Sequence, residues 1–197
     1  FCHLFLLKIR ICTSVIIPKM AIYTKKGDRG TTRFFNSPQG VRTSKDSLKP
    51  ETLGALDELN SFLGICRSFS DLPERNVFLK NIQDDIFTIC SIIAGADLKF
   101  NKSKVTRFEK EIDKIEAKVK AIDSFRFSQG SRFATHLMYA RSLARGAERR
   151  VVALSKTEKV RPQILQYVNR LSDMLFMLFR EANFDAGIAE EGWKPKK

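Results

Sequence analysis

The chain has 197 residues, 43% of them hydrophobic, and a formal net charge of +13, a length that suits one domain with a sizeable core. Ten glycines and six prolines are too few for a sandwich or an alternating α/β fold, so the composition points to an all-α protein. Two histidines exclude histidine-rich metal sites, and four scattered cysteines without a CxxC pair fit a reduced, cytoplasmic protein.

The positive charge predicts attraction to polyanions. The basic residues nevertheless spread along the chain and alternate with acids, as in KSKVTRFEKEIDKIEAKVK (102–120), which reads as a solvated helix face. Finger spacing, a basic zipper and aromatic-rich nucleic-acid signatures do not occur, so no nucleic-acid partner is expected.

In chain order, residues 1–19 are acid-poor, and their apolar runs are broken by Lys8 and Arg10, too early for a membrane span. They read as an extension outside the fold, with Met20 as the start; a targeting segment, leading to an organellar matrix, is the alternative. The loop TKKGDRGTT (24–32) follows. It is neither a Walker A loop nor GxGxxG. Its glycines at 27 and 30 would still let backbone N–H groups approach an anion, and an exposed turn fits its own residues equally well. Residues 33–50 read as irregular and exposed.

Five helical patterns come next, at about Glu51–Ser68, Glu74–Ala94, Lys104–Ile122, Arg132–Ser155 and Pro162–Phe184. With mostly short connections they predict an up-and-down five-helix bundle. Residues 20–190 form one expected domain, and 191–197 an expected loose tail. The Glu-x-x-His pattern of a di-iron bundle is absent.

Two of these helices carry unusual polar residues. In the fourth, Ala140, Ala144 and Ala147 make a small-residue stripe beside Arg141, Arg145 and Glu148, which share a face by their spacing. A guanidinium at such an interface wants a carboxylate or phosphate partner. In the fifth, Asn169 and Asp173 interrupt an apolar pattern, with Arg170 and Arg180 expected nearby. Asparagine is a poor mid-helix residue, so a polar cluster with a task and plain interhelical hydrogen bonding both remain open. In the first, Asp57 and Asn60 are expected on a face opposite Leu56, Leu59 and Leu63.

Together YTKKGDRGTT (23–32), SKD (44–46) with GALDELNS (54–61), ARSLARGAERRVV (140–152) and YVNRLSDMLFMLFRE (167–181) resemble one family, the ATP:cob(I)alamin adenosyltransferases of the trimeric, five-helix type. The resemblance runs from about Ile22 to Ala186. It implies a ferritin-like bundle that moves the 5′-deoxyadenosyl group of ATP to cob(I)alamin, giving adenosylcobalamin and triphosphate. By the same resemblance the protein is a homotrimer with active sites between subunits. The triphosphate is held by Thr24, Lys25, Gly27, Asp28, Gly30 and Thr32, with Lys45 adding a cation. Arg141, Arg145 and Glu148 line the nucleotide, Asn169 helps hold Mg²⁺, and Asp57 pairs with Arg141 across the boundary. Phe125, in FRFSQGS (125–131), is the residue set against the lower face of the corrin. A cobalamin reductase and a cobalamin-dependent enzyme are the further partners implied, with no membrane partner.

Two positions depart from the family pattern: Gly146, where a second arginine is usual, and Ser128–Gln129, where a Pro-Gly turn is usual. They keep open a non-catalytic ATP- or cobalamin-binding bundle acting as chaperone or sensor.

Overall fold

The apolar spacings produce five helices among the described residues: α1 (Leu48–Ser68), α2 (Pro73–Ile93), α3 (Ser103–Glu116), α4 (Arg132–Leu154) and α5 (Pro162–Asp185). In the computed structural model residues 23–195 are described; the extension expected at 1–19 and the start at Met20 lie outside them. Proline sits in the first turn of α2 and α5, where its missing N–H costs nothing. The Ser131 hydroxyl caps α4 by accepting from Ala134 N at 3.1 Å.

The molecule is an all-α bundle in which α5 packs on α4 and α3, and α1 on α4 and α2. Leu56, Leu59, Leu63 and Cys66 of α1 are fully buried, as are Leu79, Ile82 and Ile89 of α2 and Met174, Leu175 and Phe179 of α5. Burying each such large apolar side chain contributes about 1.5–3 kcal/mol. A polar tie crosses this core. The Asp85 carboxylate of α2 accepts from the Tyr167 hydroxyl of α5 at 3.0 Å and pairs with Lys104 and, at 2.6 Å, Arg107 of α3.

Three expectations change. The third helix ends at Glu116 rather than Ile122. Lys118 is drawn to Asp185 (2.5 Å) and Glu181 (3.3 Å) of α5, and the amides of Lys118 and Val119 both turn back to the Ile115 carbonyl. Residues 33–50 are not wholly irregular: Phe34 is buried, and β1 (Thr31–Thr32) pairs antiparallel with β2 (Thr43–Ser44). In the stretch expected as a loose tail, β4 (Gly192–Trp193) pairs antiparallel with β3 (Phe125–Arg126).

Candidate functional site

The 24–32 loop is shaped by two tight turns, Asp28 N to Lys25 O at 3.3 Å and Gly30 N to Gly27 O at 3.2 Å. Lys25 and Gly30 both have positive φ, 57° and 73°; only the glycine adopts it without cost. Lys45 donates its amide to Gly30 O at 2.8 Å. Its ammonium lies against the loop, 3.4 Å from where a Cβ on Gly27 would sit. Arg42 braces β1, its guanidinium donating to the Thr31 hydroxyl and carbonyl at 2.8 and 2.9 Å. The loop is moored to the bundle beyond its end, where Phe35 N donates to Ala94 O at 3.0 Å. Thr24, Lys25, Asp28, Gly30 and Lys45 are exposed, and Gly27 and Thr32 half-buried. The result is a cationic, solvent-facing loop that can meet an anion.

On α4 and α5 the anomalous polar residues converge. Arg145 donates to Glu148 Oε2 at 2.7 Å, and Asn169 Nδ2 donates to Glu148 Oε1 at 2.8 Å. Both carboxylate oxygens of Glu148 are therefore engaged, and the Asn169 Oδ1 has no partner among the described residues. Asp173 instead pairs with Arg170 at 2.9 Å. Arg180 is not beside Asn169: it is buried and pairs with Glu190 at 3.0 Å. Arg141, half-buried, lies over the Phe176 ring at 5.6 Å and has no carboxylate partner among the described residues.

Asp57 is half-buried on α1 and forms no ion pair with Arg141 of its own chain. Burial pushes its carboxyl above the ordinary value of 3.8. Asn60, expected on the same polar face, is buried, and its Oδ1 has no partner among the described residues. No hydrogen bond or ion pair joins the 24–32 loop to Arg145, Glu148 or Asn169 within the described chain. Gly146 leaves an open notch on α4: the nearest atom to a Cβ there is Arg150 Nη1 at 3.8 Å.

Phe125 is 81% exposed and meets Trp193 edge-on, centroids 6.4 Å apart. The turn behind it, through Ser128 and Gln129, closes on Gly130, whose φ is 124°. A Cβ on Gly130 would lie 1.9 Å from Asn183 Oδ1. That oxygen accepts from Ser131 N at 3.1 Å, and Asn183 Nδ2 donates to Gln129 O at 3.1 Å. Asn183, Glu190 and Trp193 were missed by sequence reasoning. The signal for the first two was a polar residue at the end of an apolar helix and an acid just beyond it. A cleft of about 540 Å³ is lined by Arg75, Glu111, Lys118, Glu181 and Asp185. These neutralise one another in ion pairs, and none belongs to the clusters above.

A family model described as cobalamin adenosyltransferase matches residues 22–182. A corrinoid adenosyltransferase of Bacillus subtilis (strain 168) is 37% identical over 182 residues, covering 87% of this chain and 91% of that protein. A corrinoid adenosyltransferase of Homo sapiens is 32% identical over 187 residues, covering 89% and 73%. Among solved structures, a variant PduO-type ATP:corrinoid adenosyltransferase from Lactobacillus reuteri, complexed with cobalamin and ATP, superposes with a TM-score of 0.84. It is 28% identical, and the match covers 89% of this chain and all of that one.

Proposed function

The chain belongs to the cobalamin adenosyltransferase family, and from that premise we propose how its residues divide the work of a corrinoid adenosyltransferase. The reaction transfers the 5′-deoxyadenosyl group of ATP to cob(I)alamin. The cobalt electron pair forms the bond to C5′ while the C5′–O bond breaks, its pair leaving with triphosphate. The cobalt is itself the nucleophile, so no Ser, Cys or His is required. The protein must align two reactants and stabilise a highly charged leaving group.

In this reading the 24–32 loop and Lys45 hold the triphosphate. Arg141 and Arg145 bring guanidinium donors to the nucleotide, and Glu148 fixes Arg145 and Asn169 relative to each other. For Mg²⁺ the chain offers one donor that fits, Asn169 Oδ1, which has no partner among the described residues; this ion takes one or two protein oxygens and leaves the rest to phosphate and water. Bound there, it would neutralise charge on the departing triphosphate. Phe125 presents an exposed ring to the lower corrin face, where it would exclude an axial ligand. Residues 20–190 act as one domain, in the cytoplasm, within a homotrimer. The Asp57 carboxyl and the Arg141 guanidinium, each half-buried and without an ion pair among the described residues, support a pair made across a subunit boundary.

The observation that carries the proposal is the Arg145–Glu148–Asn169 cluster. It ties an arginine and a free amide oxygen together at one point of the α4–α5 surface. Without oxygen, the protein with ATP, Mg²⁺ and chemically reduced cobalamin should form adenosylcobalamin, followed by its absorbance. Arg141→Ala and Asn169→Ala should each cut the rate at least about 100-fold, the scale of losing a charged transition-state contact. Full activity in either variant would overturn its assigned role.

A further inference from the structure

The strand pair that carries Phe125 is fastened from below by one carboxylate. Glu190 accepts from Arg180 Nε, at 3.0 Å to Oε1 and 3.1 Å to Oε2, and from Arg126 Nε at 3.1 Å. Arg180 rises from α5, is 2% exposed, and also donates to the Lys120 carbonyl at 2.5 Å. Arg126, the residue after Phe125, donates to the Ser124 hydroxyl at 2.8 Å and pairs with Asp123 at 2.9 Å. Successive side chains of a strand point to opposite faces. Arg126 therefore reaches inward to Glu190 while Phe125 and Trp193 stand together on the outer face.

The backbone supports the same arrangement. Phe127 N donates to Glu191 O at 3.0 Å, and the Gln129 side chain donates to Ala189 O at 2.9 Å. Gly192 lets the strands close: a Cβ there would fall 2.4 Å from the Ser124 hydroxyl and 2.8 Å from Arg126 Nη1. Two short strands alone are marginal in water. What holds them in one place is the ionic tie to a rigid helix, and Glu190 is its shared anion.

We propose that Glu190 is a positioning residue for corrinoid binding. By bridging Arg180 of α5 to Arg126 of β3 it sets the height and angle of the Phe125–Trp193 ring pair, so that residues 189–193 form part of the corrinoid face. This rests on the assignment of Phe125 to the corrin. Glu190 need not touch the substrate; it acts through the ribbon.

The chain has one tryptophan, at 193, so its fluorescence reports on the ribbon whether or not the enzyme turns over. In the whole protein, Glu190→Gln is expected to shift Trp193 emission to the red and raise its quenching by acrylamide. Hydrogen-exchange protection of the Phe127 amide should fall. The KM for cob(I)alamin should rise about tenfold while the KM for ATP stays unchanged, the loss expected for one charge-assisted contact. Removing Glu190 leaves Arg180 buried and unpaired, which can unfold a protein. Gly192→Ala is therefore the second variant: its methyl crowds the Ser124 hydroxyl and the Arg126 guanidinium, displacing the Arg126 arm of the tie while Glu190 and Arg180 stay in place, and should give the same signature.

If folded variants keep the wild-type Trp193 emission and Phe127 protection, the tie is not what holds the ribbon and the proposal fails. If the ribbon loosens and the cob(I)alamin KM does not move in an enzyme that is otherwise active, the positioning role fails and the adenosyltransferase reading stands. A wild-type protein that forms no adenosylcobalamin would overturn the functional reading instead, and with it the corrinoid role given to the ribbon.

Discussion

Asp57 shows how a single residue can look misplaced in one chain. Its carboxyl is half-buried without a cation among the described residues, and burial raises it above its ordinary value of 3.8. A raised carboxyl means that the folded chain holds the proton more tightly than the unfolded one. In the separated chain, Asp57 therefore favours folding below 3.8, and that contribution is lost as pH rises through its folded value. Urea titrations at a dilution where the chain is monomeric should show Asp57→Asn flattening this fall in unfolding free energy. In the assembled protein the neighbour's arginine is proposed to restore the charged form, and there the substitution should lower activity. Arg141 is the complementary case, a half-buried guanidinium over the Phe176 ring.

At the level of elements, α4, to which the proposal gives the nucleotide side of the site, has a glycine in its middle. Gly146 has an ordinary helical backbone, and a Cβ there meets nothing nearer than 3.8 Å. Gly146→Ala should therefore stabilise the protein by about 1 kcal/mol through helix propensity alone, read as a higher thermal midpoint with the ATP KM unchanged. The glycine is then no break in the helix, which runs unbroken over Arg132–Leu154. The third helix teaches the opposite lesson. Its apolar repeat continues beyond Glu116, yet the helix stops there, and Lys118 just past the end pairs with Asp185 and Glu181 of α5.

At the scale of the whole molecule, no helix of the described residues is long and apolar enough to cross a membrane. Among the described residues no hydrogen bond or ion pair joins the 24–32 loop to the Arg145–Glu148–Asn169 cluster, and none joins Asp57 to Arg141. An active site completed by a neighbour predicts complementation. Asp57→Ala and Arg141→Ala chains, each inactive alone, should regain on the order of a quarter of the wild-type rate when mixed equally and reassembled. Random mixing in a closed ring leaves that share of boundaries with both residues intact. No recovery in reassembled mixtures would place both residues in one chain's site.

The helices were legible in the sequence because each buries a face whose apolar residues recur at the helical period. α1, α2, α4 and α5 begin and end within about three residues of where those patterns put them. The α4 arginines and Asn169 stood out as chemically unusual for a plain bundle, whereas the 24–32 loop did not, since an exposed turn fits its residues equally well. Pairing was not legible. Glu148 joins Arg145 to Asn169 across two helices, Asp85 gathers partners from two others, and Glu190 draws the chain's end under Phe125. These contacts bring together residues separated by 21, 82 and 64 positions, and no local periodicity encodes which distant charge a side chain will meet. The sequence by itself determined which residues carry charge, where helices can start, and that the loop could face an anion. Only the tertiary structure decided that Gly192–Trp193 pair as a strand and that Arg180 belongs to Glu190, because both depend on where the packed helices leave space and an unpaired charge.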